Sequence, residues 1–328
     1  MGERRDGARR ATGSLLSVSV LLAGLTVTVL SSAALYGAQR DIASRAMDQR
    51  HRTALAAVRA EVERFRGLLD GVAAGIATDS DLTWEDFDVV TGPLAESGPA
   101  GATGVAFLVS VPEDDVAAAQ RRWRDHGASG LVLRPNPGNH VHYFRVLSRA
   151  LGEAEPAAPR PGTDVAGAGP LSTALELARD THRTTVSDGY PLIHDPDRRQ
   201  LSFAFAAPVW TRANTPEFRG WVVSGLHGGT LLRDVLRTVG DPGVSGELVA
   251  TTGDGGRDTV ASWARPGEPD LLRSGGFEVG DRHWVLETRG DSRRLAGAGW
   301  YLPMTVLAGG LILTGLLARL AHRPAAGS

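Results

Sequence analysis

The sequence predicts an α+β fold in which a long N-terminal stalk helix carries two lobes and is flanked, with them, by two transmembrane helices. Three observations predict it. Apolar segments stand near opposite ends of the chain, Leu15 to Leu35 and Leu302 to Ala321. An apolar period of 3.5 residues follows the first. Beyond that, strand-like runs are interrupted by helical ones, with antiparallel hairpins and no regular βαβ repeat, which is the pattern of an α+β domain.

Each apolar segment lacks acidic residues and, at about 20 residues with ~1.5 Å rise each, is long enough to cross a hydrocarbon core of about 30 Å. Arg4, Arg5, Arg9 and Arg10 precede the first, and Arg319, His322 and Arg323 close the second. The positive-inside rule therefore favours both termini in the cytoplasm, although Arg40, Arg45, Arg50 and Arg52 dilute the asymmetry. Trp300 and Tyr301 suit an outer interface. The alternative for the first segment is a cleaved signal peptide, since Ser32, Ala33 and Ala34 supply small residues near its end. Its apolar core exceeds the usual stretch of about 7–15 residues, which favours an uncleaved anchor. For the second segment the alternative is a buried core helix. Gly309, Gly310 and Gly315 argue against that, being common in membrane helices and unfavourable in soluble ones.

Residues 36–301 suffice for two small lobes or one larger domain. With 42% hydrophobic residues and a formal charge of −2, the composition points neither to disorder nor to a nucleic-acid partner. Every basic side chain apart from histidine is arginine, which we read as genome composition. Without cysteine, the chain has no disulfides, thiol catalysis or cysteine-ligated metal.

Leu55, Val58, Val62, Phe65, Leu69, Val72 and Ile76 fall at steps of three and four, a narrow seam on one long helix. The seam is buried against the domain, against a second copy, or against each in different places; an ordinary amphipathic core helix is the simpler alternative. Gly71 and Gly75 weaken the helix near its outer end. Gly104 to Ser110 (GVAFLVS) predicts a buried strand. Pro112 followed by Glu113, Asp114 and Asp115 starts a helix reaching about His126. Leu131 to Leu133 and Val141 to Leu147 predict strands, joined by a turn at Pro135, Asn136, Pro137 and Gly138. Gly152 to Gly169 reads as a loop, and Pro170 opens a helix with Leu171, Leu175, Ala178 and His182 along one face. Leu201 to Ala207 and Phe218 to Leu226 form a hairpin. Leu231 to Val239 mark a helix ending near Gly240. Glu247 to Thr252, a turn at Gly253 to Gly256, Gly276 to Val279 and His283 to Thr288 make the smaller second lobe.

The order of these pieces resembles the CHASE family, extracytoplasmic ligand sensors of bacterial signalling proteins and of plant cytokinin receptor kinases. The resemblance is carried by GVAFLVS, by GTD at Gly162 to Asp164, and by LSTALELARDTH at Leu171 to His182. It continues through Ser187, Pro208-Val209-Trp210, the FRGWVV run from Phe218, Leu231 to Leu236, and VGDRHWVLET at Val279 to Thr288. It implies a stalk with two PAS-like lobes, the membrane-distal one holding the ligand. The corresponding organisation is a cytoplasmic tail (1–14), first span (15–36), stalk (37–78), distal sensor lobe (79–240), smaller proximal lobe (241–294), second span (299–321) and cytoplasmic tail (322–328). The chain departs from the family at His182, where glycine is usual after Ala-x-x-Thr, and at Trp210, where tyrosine is common. The helix start after Pro112 also lacks the family's Arg and Phe-Glu pattern.

The resemblance matches Asp164 to the acidic position that accepts hydrogen bonds from a purine-like ring in cytokinin-binding members. A carboxylate at the mouth of an apolar pocket can fix a donor-bearing ligand in that way; alternatively Asp164 caps a turn ahead of the Pro170 helix. Thr181, Val186 and Ser187 match positions around the same lobe, while Phe203 and Phe205 either wall the pocket or pack the core. No cofactor is expected. His140 and His142, with Tyr143 nearby, and His194 with Asp195 and Asp197 do not make a convincing metal-ligand set. Gly253 to Gly256 lacks the Lys-Ser/Thr of a phosphate loop, and there is no G-x-S-x-G elbow for a hydrolase.

The expectation is a non-enzymatic, membrane-anchored sensor of an unidentified small molecule or peptide, acting as a homodimer or in hetero-association with a signalling protein. After Arg323 only PAAGS remains, so the signal is expected to pass to a separate partner. A membrane interaction or scaffold module without ligand, and an exported hydrolase, are the competing classes.

Overall fold

The apolar period is realised as one helix, α1 (Glu3–Thr78). The computed structural model describes residues 3–79, 81–151, 161–167, 169–191, 201–212, 214–238, 244–251, 256–264 and 268–322. They divide into two units, Met1–Gln49 with Gly267–Leu271 and Gly290–Ser328, and Arg50–Pro266 with Leu272–Arg289.

In the second unit the α1 seam is buried by the domain's own sheets. Val58, Val62, Phe65, Leu69, Val72 and Ile76 are all within the main hydrophobic core, and Leu55 packs against it. Phe65 meets Phe205 edge-on at 5.2 Å. Thr83 and Asp86 form a reciprocal capping box that starts α2 (Trp84–Val90), and α3 (Gly92–Ser97) follows. Gly75 lets this region approach α1, since a Cβ there would lie 2.9 Å from Val90.

A six-stranded sheet comprises β1 (Ala102–Pro112), β2 (Val141–Ala150), β3 (Thr185–Val186), β4 (Tyr190–Pro191), β5 (Leu201–Trp210) and β6 (Phe218–His227). Its order is β2-β1-β6-β5-β3, with β4 also on β5, and every pairing is antiparallel. Side chains alternate between its faces. Val105, Phe107, Val109 and Val111 join the core with α1; Ala106 and Leu108 join a second core under α5 (Pro170–Thr181), which contributes Leu171, Leu175 and Ala178. The FRGWVV glycine is required: Gly220 has φ 145°, and a Cβ there would collide with Leu108 O. Between β1 and β2, a short 3₁₀ turn at Glu113–Asp115 leads into α4 (Val116–Asp125).

After α6 (Gly228–Thr238) a second sheet is built from β7 (Val244–Thr251), β8 (Arg257–Trp263), β9 (Leu271–Val279) and β10 (Arg282–Gly290), in the order β8-β7-β10-β9. Leu248, Val260, Phe277, Trp284 and Leu286 share the α1-facing core with the first sheet, and Phe203 meets Trp284 at 4.7 Å.

Two features depart from expectation. Leu131 to Leu133 is not a strand: Leu131 N closes a turn on Ala128 O at 2.9 Å, and Leu133 N donates to Gln120 Oε1 at 2.8 Å. Both leucines are buried, so their apolar signal reflects core plugs on an irregular segment. Conversely, β8 lay unread between the strands expected in the smaller lobe. Parts of the Gly152 to Gly169 loop, the Gly253 to Gly256 turn and the Gly240 helix end lie outside the described residues.

The first unit contains α1 up to Gln49, α7 (Ser292–Ala296) and α8 (Leu302–His322). Both long helices are apolar and long enough to cross a membrane. Gly24 packs on Thr314 and Gly310 on Thr28, so closely that a Cβ at either glycine would collide with the threonine. Ser32 Oγ donates to Pro303 O at 2.9 Å, and Tyr36 lies against Trp300. Leu22, Val27, Leu30, Ile312 and Leu313 remain exposed.

Candidate functional site

Strand β2 lies at the edge of the six-stranded sheet, and the GTD segment covers that edge. Gly162 N donates to Arg145 O at 2.7 Å, Arg145 N to Thr163 O at 3.2 Å, and Val165 N to Tyr143 O at 2.9 Å. Gly162 has φ 86°, and a side chain there would strike Val132 O, so glycine is needed to bring the segment in.

This pairing buries Asp164, which is 5% exposed. Its Oδ1 accepts from Tyr143 N at 3.0 Å and Ala166 N at 2.9 Å. Its Oδ2 accepts from Asn136 N at 2.9 Å and His142 Nδ1 at 2.7 Å. Four donors fill the roughly four lone-pair sites of a carboxylate. His142 Nε2 in turn contacts Glu113 Oε2, and the ring stacks on Phe144. Burial acts to lower the His142 pKa, but hydrogen bonds and charge from Asp164 and Glu113 outweigh it and hold the pKa above its ordinary value.

The sheet face toward α5 carries the other polar groups. Tyr143 Oη donates to Glu176 at 3.3 Å, and its ring meets Trp221 at 4.9 Å. Trp221 Nε1 donates to Leu175 O at 2.7 Å. Burial raises the pKa of both Tyr143 and Tyr190. Arg145 is 8% exposed, and desolvation lowers its pKa to about 10.

The six residues singled out by sequence do not converge. Val186, Phe203 and Phe205 belong to the core shared with α1. Ser187 is buried at the β5 edge, where its Oγ accepts from Ala204 N at 2.9 Å and donates to Asp188 O. Asp164 lies at the opposite, β2 edge. Thr181 is exposed and bonds back to Leu177 O. The two family departures do meet. His182 ends α5 with φ 56°, a conformation glycine adopts without strain, and stacks at 4.1 Å and 9° on Trp210. Among the described residues no group of three or more His, Cys, Asp or Glu is placed to hold a metal; His194, Asp195 and Asp197 lie outside them.

Sequence reasoning passed over Arg145, Tyr190, Trp221 and the buried pairing of His142. A basic residue inside the apolar run Tyr143-Phe144-Arg145-Val146-Leu147 was the available signal. Elsewhere, a cleft of about 890 Å³ is lined by Phe107, Val109, Trp123, Arg122, Glu217 and Arg219, among others, and by none of the six.

A family model for the CHASE domain matches residues 80–259. A search of curated proteins gave no match. Among solved structures, an extracellular ligand binding receptor from Desulfohalobium retbaense is similar with a TM-score of 0.43 and 12% identity over 74% of this chain, which spans 39% of that receptor's length. A methyl-accepting chemotaxis protein is similar with a TM-score of 0.39 and 13% identity, covering 80% of this chain and 97% of its own. The periplasmic sensory domain of a Campylobacter jejuni chemoreceptor has a TM-score of 0.33 and 11% identity, covering 81% and 96%.

Proposed function

The chain belongs to the CHASE domain family, a sensor domain of bacterial signalling proteins, and on that premise we propose that it is a membrane-anchored, extracytoplasmic receptor for a small ligand. In this reading residues 15–36 and 299–321 cross the membrane, 37–78 form the stalk, and 79–240 and 241–294 are PAS-like distal and proximal lobes. The carrying observation is the family match, which spans the whole six-stranded sheet, α5 and α6.

The ligand is assigned to the distal lobe, on the sheet face toward α5. Asp164 enters this proposal as an organiser: its four internal donors fix Asn136, His142 and Tyr143, and a ligand seeking its carboxylate must displace one of them. Ser187 and Thr181 flank the same lobe, while Val186, Phe203 and Phe205 back the sheet from its α1 side. Binding shifts the balance between two arrangements of the lobes and α1, by as much as the ligand's affinity differs between them. The output passes to a signalling partner, with a second copy of the chain or a different protein as associate.

The test is a thermal-shift screen of the full chain in detergent against adenine derivatives, amino acids, organic acids and short peptides. A saturable rise in melting temperature supports a receptor, since a ligand that binds only the native state stabilises it. No rise across the panel, together with retained association with a membrane protein partner, favours an interaction module.

A further inference from the structure

Across the sheet face toward α5, cross-strand pairing sets small residues side by side. Gly104 pairs with Gly225, and Gly225 with Ala204; in the next row Ala106 pairs with Val223, and Val223 with Ala206. Arg145 rises from the β2 edge of this floor, opposite Leu108. Tyr190 rises from the other edge, paired through Ser202 with β5. Tyr190 packs against the second core, which contains Ala106 and Ala204, and its phenol interacts electrostatically with Arg145.

Arg145 is more than nine-tenths buried, its Nε has no hydrogen-bond partner, and it makes no ion pair among the described residues. Among the described residues the group whose charge acts on it is the Tyr190 phenol, whose pKa burial raises further above its ordinary value. Other part-buried arginines are answered: Arg282 by Asp188 at 2.7 Å, Arg149 by Asp88 at 3.0 Å. A buried cation without an anion is unfavourable, and a planar guanidinium presents paired donors that suit an oxyanion.

We propose that this face binds a small oxyanion, a carboxylate or phosphate, against Arg145, with the Tyr190 hydroxyl as a second donor and the ligand's apolar part on the floor at Gly104 and Gly225, which the α5 core leaves half-buried. The inference deepens the receptor reading and rests on it. It makes the ligand class anionic, set by Arg145, and the floor limits the apolar part to something flat or short.

The test uses the full chain in detergent, with acetate, benzoate and inorganic phosphate as probes and benzamide as the uncharged counterpart of benzoate. At least one anion is expected to raise the melting temperature saturably, with benzamide inactive. Arg145→Met is expected to weaken that binding about thirtyfold or more, and Tyr190→Phe to weaken it by a smaller factor. Without ligand, Arg145→Met is expected to raise the melting temperature by about 2 °C or more, because it removes a buried unpaired charge. A lower ligand-free melting temperature in Arg145→Met overturns the inference, as does the absence of a shift from all three anions. Stabilisation by an uncharged probe that survives Arg145→Met also overturns it while leaving the receptor reading intact.

Discussion

Deleting a carboxylate that accepts four internal hydrogen bonds leaves three buried donors, His142 Nδ1, Tyr143 N and Ala166 N, without their acceptor, so Asp164→Ala should cost far more than a surface change. Loss of the charge-assisted hydrogen bond to His142, which keeps Glu113, is worth about 1.5–3 kcal/mol, and denaturant unfolding of the full chain in detergent measures the total; a loss under about 1 kcal/mol would remove Asp164 from its organising role. His142 adds a pH signature. Its folded pKa is raised, so its contribution is fully present below the unfolded value of 6.5 and is lost as pH rises through the raised folded value. Melting temperature should therefore fall on the alkaline side of 6.5, and His142→Gln should flatten that fall. Asp270 provides the opposite sign. Burial pushes its pKa up, but hydrogen bonds from Ser292 and the charge of Arg40 prevail and hold it low, so its contribution is lost only as pH falls through the carboxylate range. An unchanged alkaline slope in His142→Gln would assign the fall to other groups.

At the scale of elements, the α1 seam is the clearest case of a pattern with more than one possible partner. Its period defines a helix and an apolar stripe but not what covers the stripe, and the structure covers it with the domain's own sheets. Phe65, fully buried against Phe205, should on truncation to alanine cost about 3–5 kcal/mol in denaturant unfolding. A loss near that of the exposed neighbour Arg59→Ala would mean that the seam faces something other than the domain. The same distinction separates what was readable from what was not. The strands at Gly104 to Ser110, Leu201 to Ala207 and Phe218 to Leu226, and the helix after Pro170, carry their signal locally, in period and breaker residues. Leu131 to Leu133 misled because burial without strand pairing leaves the same apolar run. The capping box at Thr83 and Asp86 marked α2 and went unread. The floor and its arginine were illegible for a different reason: Gly104, Ala204, Gly225 and Arg145 lie on four strands, and only the ladder register brings them to one face.

For the whole molecule, the decisive question is whether the two apolar helices span a membrane and, if so, which side of it the sheets occupy. In the first unit, two helices expose large apolar side chains such as Leu22, Leu30, Ile312 and Leu313, while small residues bring them together at Gly24 and Gly310, as in membrane helix pairs, where close backbone approach replaces a hydrophobic driving force. If both helices span the bilayer, the sheets and the two ends lie on opposite sides, and the proposed orientation has the sheets outside. The absence of cysteine makes this directly measurable, because any thiol introduced is the sole thiol in the chain. Glu96→Cys, at an exposed site on α3, should react with a membrane-impermeant maleimide in intact cells, whereas Ser328→Cys should react only after the membrane is opened. Labelling of both in intact cells would mean a single span; labelling of neither before lysis would put the sheets in the cytoplasm and end the receptor reading. Gly310→Leu gives the companion result. It should force the helices apart at Thr28 and weaken their association, yet leave the Glu96→Cys labelling pattern unchanged, because insertion depends on each helix's apolar length and pairing on the fit between them.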